Sequence, residues 1–96
     1  MVELYDDYVI TTDAYNYILQ KRQIVQNGKT AGEERYKAVG YYNTFGGCLR
    51  RFHEELLKDR LGREEMMTLA QALDACHEVN KRFGDWLEGN TMLLSA

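Results

Sequence analysis

Cys48, Cys76, His53 and His77 are the side chains from which a metal centre or a nucleophilic site would have to be built. A helical hairpin turning at Gly62 would bring Cys48 level with Cys76 and set His77 beside Gly47. Zinc requires four tetrahedral ligands, and His53 lies more than a helical turn from Cys48, so a two-cysteine, two-histidine set demands a distorted geometry. Two small core thiols are the simpler reading, with a facultative disulfide as a third, and the expectation is no metal. Each histidine precedes a glutamate, Glu54 or Glu78, but the sole serine, Ser95, sits in the tail, so no nucleophilic triad forms around either. Carboxylates are abundant, yet none is marked as a general acid or base, because that role needs a pocket that shifts its pKa. The sequence holds neither GxxxxGK[ST] nor GxGxxG. These residues predict a protein that binds rather than catalyses, with no cofactor.

Two groups of residues are suited to binding. The pair Gly46-Gly47 falls in the first turn of an expected helix, with Arg50 and Arg51 one turn on. Its open amides and the two guanidinium groups would make a small anion site, whereas the plainer reading is that the glycines let the helix pack closely on a sheet. With Tyr41 or Tyr42 stacking a base, these residues are the candidate nucleotide ligands. The second group joins seven tyrosines, Tyr5, Tyr8, Tyr15, Tyr17, Tyr36, Tyr41 and Tyr42, to Lys21, Arg22, Lys29, Arg35 and Lys37, all in the first 42 residues. Tyrosine with arginine is the composition of binding hot spots and of base-stacking platforms. Lys21, Arg22, Arg35, Tyr36, Lys37 and Tyr41 are the candidate contacts to a partner. The alternative is that half the tyrosines are core and the cations merely solvate a hairpin.

These residues need elements to hold them. Residues 7–12 (DYVITT) and 15–26 alternate β-branched, aromatic and polar side chains as strands do, with Asp13-Ala14 as a turn between them. At its basic end the second run is mixed on both faces, which predicts that this end overhangs the core. Asn27-Gly28 favours a tight turn, lengthened to a loop by residues 30–33. Residues 34–42 read as a third strand with Tyr36, Ala38, Gly40 and Tyr42 opposed to Arg35, Lys37, Val39 and Tyr41, and Gly40 marks a bulge or a close backbone approach. Asn43 or Thr44 then caps a helix in which Phe45, Cys48, Leu49, Phe52, Leu56 and Leu57 recur at spacings of three and four, ending at Gly62. A second helix is expected from Glu64 to Glu88, with Met66, Leu69, Leu73, Cys76, Phe83 and Leu87 on one stripe. It carries six acidic and two basic residues, either a solvated outer face or an acidic strip that competes for a basic groove. After Gly89-Asn90, Met92, Leu93 and Leu94 form an apolar tail expected to dock on the domain or on a partner subunit. The fold class is α+β: a three-stranded antiparallel β-meander over 5–42, a two-helix hairpin over 44–88 packed on one face, and a tail over 89–96, in one domain.

The 96 residues suffice for one core, and the absence of proline removes rigid linkers. No apolar run reaches the roughly 20 residues a membrane span needs, and the opening MVELYDDYVI is acidic where a secretory signal is basic. Two cysteines are too few for a disulfide framework, so the cytoplasm is the expected compartment. The net charge of −3 argues against sequence-specific DNA binding, which shows a basic excess.

At YVITTDAYNYILQKR (Tyr8 to Arg22) and AVGYYNTF (Ala38 to Phe45) the sequence resembles small uncharacterised proteins encoded by bacteriophages and prophages. The resemblance implies a phage accessory product acting in the bacterial cytoplasm. Such products commonly bind stoichiometrically, as do inhibitors of CRISPR effectors and proteins that sequester nucleotide immune signals. The expected function is therefore a non-enzymatic, anti-CRISPR-like inhibitor that binds a host defence protein, with a nucleotide sponge as the alternative and a structural or regulatory phage protein as the third reading. Open sheet edges and the apolar tail predict a homodimer.

Overall fold

The β-branched and aromatic runs of the first 42 residues form an antiparallel sheet of β1 (Val2–Glu3), β2 (Tyr8–Thr12), β3 (Tyr17–Ile24) and β4 (Glu34–Tyr42), in the order β1-β2-β3-β4. The structure, a computed structural model, describes residues 1–29 and 31–95, the side chains of 92–95 excepted. There are four strands where the alternation predicts three. The additional strand is two residues long, too short to show a period, and it exists because residues 4–7 fold back on β2. The Leu4 amide donates to the Tyr8 carbonyl (3.0 Å) and the Tyr8 amide to the Tyr5 carbonyl (3.3 Å). Asp6 and Asp7 adopt φ of 55° and 71° at this corner, a left-handed conformation that aspartate tolerates better than most residues.

Asp13 makes the next turn. Its Oδ1 accepts the amides of Tyr15 (2.8 Å) and Asn16 (2.7 Å), and its own amide donates to the Asn16 carbonyl. The Asn27-Gly28 loop between β3 and β4 needs positive φ at Gly28 (87°) and Gly32 (90°), and the Gly32 amide closes it on the Val25 carbonyl at 2.7 Å. Thr30, expected within this loop, lies outside the described residues.

A bulge decides which way β4 presents its side chains. Leu19 pairs with Gly40 but Gln20 pairs with Ala38, leaving Val39 as an extra residue. Strict alternation puts Tyr36 and Ala38 with Tyr42, and the structure reverses this. Beyond the bulge, Lys37 and Arg35 share a face with Gly40 and Tyr42, while Ala38 and Tyr36 join Tyr41. Gly40 is required there: a Cβ on it would lie 2.8 Å from Cε2 and Cζ of the Tyr42 ring.

The described chain divides into two compact units, Met1–Phe52 and His53–Ala96, with the boundary inside helix α1 (Phe45–Leu61) rather than at the strand-to-helix junction. In the first unit the start of α1 covers the face carrying Tyr8, Ile10, Tyr17 and Leu19. Phe52 stands edge-on to Tyr5 (centroids 5.1 Å apart) and tilted against Tyr8 (5.2 Å), and Phe45 meets Tyr17 at 5.9 Å. Tyr8, Ile10, Leu19, Cys48 and Phe52 are fully buried. The helix is capped by Thr44, whose Oγ1 accepts the Gly47 amide at 3.0 Å.

In the second unit, the helical hairpin does not turn at Gly62. Helix α2 (Leu69–Ser95) starts five residues later than its acidic leader predicts, because Thr68 and Gln71 form a capping box: the Gln71 amide donates to Thr68 Oγ1 (3.1 Å) and the Thr68 amide to Gln71 Oε1 (2.9 Å). The longer connection shifts the pairing of the helices. His53 bonds Asn80 Oδ1 through Nε2 at 2.6 Å and lies 4.7 Å from the Phe83 ring, so the hairpin is centred near Met66 and Met67. The helix also runs past Glu88 through the expected break at Gly89-Asn90. Asn90 Nδ2 donates to the Trp86 carbonyl (2.7 Å) and Thr91 Oγ1 to the Leu87 carbonyl (2.9 Å), and no proline intervenes. The docking expected of Met92, Leu93 and Leu94 lies outside the described side chains. No helix among the described residues is long and apolar enough to cross a membrane.

Candidate functional site

The β3–β4 hairpin outruns the core. Gln23 and Ile24 on β3 and the whole stretch from Glu34 to Ala38 on β4 are exposed, as the mixed faces of the basic run predict. β4 ends the sheet order, so this stretch is solvated along an edge strand as well as on its side chains.

Register sorts the six candidate contacts into two sets. On the face that carries the helix, Lys21 stands directly opposite Lys37, and Arg35 follows opposite Gln23. Like charges set opposite one another destabilise a strand pair, so this arrangement is costly in the sheet and concentrates positive potential. Lys21 also lies over the Tyr8 ring, 5.0 Å from its centroid. On the other face are Arg22, Tyr36 and Tyr41. Tyr41 is 61% exposed, whereas Arg22 is tied into the fold. Its Nη2 and Nε donate to Asp7 Oδ1, its Nη1 to Glu34 Oε1 at 3.2 Å, and its amide to the Asp7 carbonyl at 2.7 Å. The hydrogen bond to Asp7, then the charges of Asp7 and Glu34, raise the Arg22 pKa above its ordinary value. Tyr36 donates to Glu34 Oε2 at 3.5 Å. Asp7 and Glu34 are the residues that sequence reasoning misses here, because contacts fifteen and twelve positions away leave no local signal.

The same corner forms a cleft of about 390 Å³ lined by Tyr5, Asp6, Asp7, Arg22 and Tyr36 among others. Its cation, Arg22, is already paired with Asp7 and with Glu34 of β4, so this corner ties the turn to the hairpin.

The five residues proposed for a nucleotide do come together. Arg51 Nη1 donates to the Tyr42 hydroxyl at 3.4 Å, and a Cβ on Gly47 would meet Tyr42 Cβ at 3.7 Å and Arg50 Nη2 at 3.8 Å. A Cβ on Gly46 would lie 3.9 Å from Arg50 Nη1. Their chemistry is partly spent: Thr44 occupies the Gly47 amide and the Tyr42 ring lies over Gly40. Cys48 is buried, which pushes its thiol pKa up, and Cys76 is partly buried; both are free. No group of three or more His, Cys, Asp or Glu among the described residues is placed to hold a metal ion.

Comparison with known proteins gives a partial likeness. No protein-family model matches the chain. No solved structure matches it. Two phage proteins do. An "Uncharacterized 10.4 kDa protein in GpA 5'region" of Escherichia phage 186 is 44% identical over 41 residues, 43% of this chain and 45% of the relative. Its counterpart of 10.2 kDa in Escherichia phage P2 is 39% identical over 41 residues, with the same coverage. The chain thus spans less than half the length of these curated relatives, and it is similar to uncharacterised small phage proteins.

Proposed function

We propose that this chain is a non-enzymatic phage accessory protein that binds and inhibits a host defence protein through the outer end of its β3–β4 hairpin. The observation that carries the reading is the run of five exposed residues, Glu34 to Ala38, in an edge strand of an otherwise ordered sheet. Proteins usually shorten, cover or bend such edges, as β1 does at the opposite side with two residues. Arg35 on one face and Tyr36 and Tyr41 on the other are side-chain types enriched in protein interfaces, and Lys37 and Lys21 add positive charge on the Arg35 face. The two phage relatives support the biological setting.

The test compares tagged wild type with R35E/K37E in capture from an Escherichia lysate, and the same pair for restored plating of a phage on a defence-proficient strain. Loss of both a stoichiometric partner and restored plating in the variant supports the reading. Unchanged restoration of plating overturns it.

The nucleotide sponge rests on the clustering of Tyr42, Gly46, Gly47, Arg50 and Arg51. Calorimetry with cyclic dinucleotides and ADP-ribose tests it, and no heat with any of them removes it.

A further inference from the structure

Resting on the protein-binding reading, the geometry points to the chemistry of the target and its mode of docking: an extended acidic segment that pairs with the edge of β4 over Glu34 to Ala38 and becomes a fifth strand of the sheet.

β4 pairs with β3 on one side and ends the sheet order on the other. A peptide in extended conformation matches the alternating amides and carbonyls of such an edge, and five residues span about 17 Å, an ordinary strand length. The sign of the partner's charge follows from register. Lys37 and Arg35 share one face of β4, with Lys21 one strand further in, so acidic side chains at every second position of an added strand would fall beside the two β4 cations.

The same charges argue against a second copy of this chain at that edge. Antiparallel self-pairing centred on Tyr36 sets Arg35 of each chain against Lys37 of the other, and parallel pairing sets like residues side by side. Single-stranded nucleic acid fits less well. Its binding platforms interleave cations with stacking aromatics, but the bulge at Val39 places Tyr36 and Tyr41 on the face away from Lys21, Arg35 and Lys37.

The experiment is a backbone-amide NMR titration of the full chain, which detects weak binding. The probes are a short peptide alternating valine and glutamate, the same peptide N-methylated at every second residue in either phase, a valine–lysine peptide and oligo-dT. The expected result is that amides from Glu34 to Ala38 shift with the acidic peptide, that one N-methylated phase loses the effect at least about tenfold while the other keeps it, and that valine–lysine has none. R35Q/K37Q should weaken the acidic peptide in the same way while leaving the rest of the amide spectrum in place. The proposal is overturned if the β4 amides do not respond, if both N-methylated phases bind as well as the parent, or if oligo-dT shifts them in place of the acidic peptide. Capture of a host protein that R35E/K37E abolishes, with β4 silent to the acidic peptide, would leave the protein-binding reading standing without strand addition. Peptide pairing without any effect on plating would do the reverse.

Discussion

Gly40 is the residue on which the geometry of the hairpin turns. The Tyr42 ring occupies the space a side chain at 40 would need, and the bulge beside it reverses the faces of everything from Glu34 to Ala38. Gly40→Ala is predicted to cost about 1–3 kcal/mol by overpacking. The cost should shrink in a Tyr42→Ala background, as a double-mutant cycle by chemical denaturation would show; an equal cost in both backgrounds contradicts the contact. Asp13 supplies a pH signature. The amides of Tyr15 and then Asn16 stabilise its carboxylate and lower its pKa from the ordinary value. A depressed folded pKa means that the stabilisation is present above the unfolded value and is lost as pH falls through the folded one. Wild type should therefore lose its advantage over Asp13→Asn on acidification, and thermal melts with a constant difference from neutral to about pH 3 would contradict this. At this scale much was legible: Asp13 as a turn, Gly40 as a bulge and Thr44 as a cap all announce themselves through local chemistry. The ion pairs of Arg22 with Asp7 and Glu34 did not, since tertiary pairing is written in no window of neighbouring residues.

The elements follow from periodicity, and the errors fall where periodicity stops. Cys48, Phe52 and Leu56 lie on the buried stripe that their spacing predicts, while Phe45 at the start of the helix stays 40% exposed, and Phe52→Ala is expected to cost about 3–5 kcal/mol, read from the denaturation midpoint. Strand β1 was hidden because two residues have no period. Residue type alone leaves the start of α2 open, because Glu64 and Glu65 suit an N-terminus as well as the Thr68-x-x-Gln71 box does, and only the reciprocal hydrogen bonds choose between them. Thr68→Ala should lower stability by about 1 kcal/mol, whereas Glu64→Ala should leave it nearly unchanged; the reverse order would place the cap elsewhere. The alternation of β4 holds from Gly40 to Tyr42 and inverts before the bulge, since one inserted residue moves the side chains beyond it to the other face.

For the whole molecule, composition and charge narrowed the choices more than they made one. The candidate contacts Lys21, Arg35, Tyr36, Lys37 and Tyr41 were legible as residue types, but their division between two faces depends on a register that the sequence does not spell out. With β1 only two residues long and β4 edged by Arg35 and Lys37, the sheet edges disfavour self-pairing. R35T/K37T is accordingly predicted to self-associate more than wild type in sedimentation, and an unchanged or smaller sedimentation coefficient would contradict the role given to these cations.

The most direct test of the central claim is the plating efficiency of a defence-sensitive phage on cells expressing wild type, R35E/K37E or R50E, the last of which reverses a charge of the alternative nucleotide site. The account predicts that wild type and R50E restore plating while R35E/K37E, still folded by circular dichroism, does not. Restoration by R35E/K37E equal to wild type would contradict it.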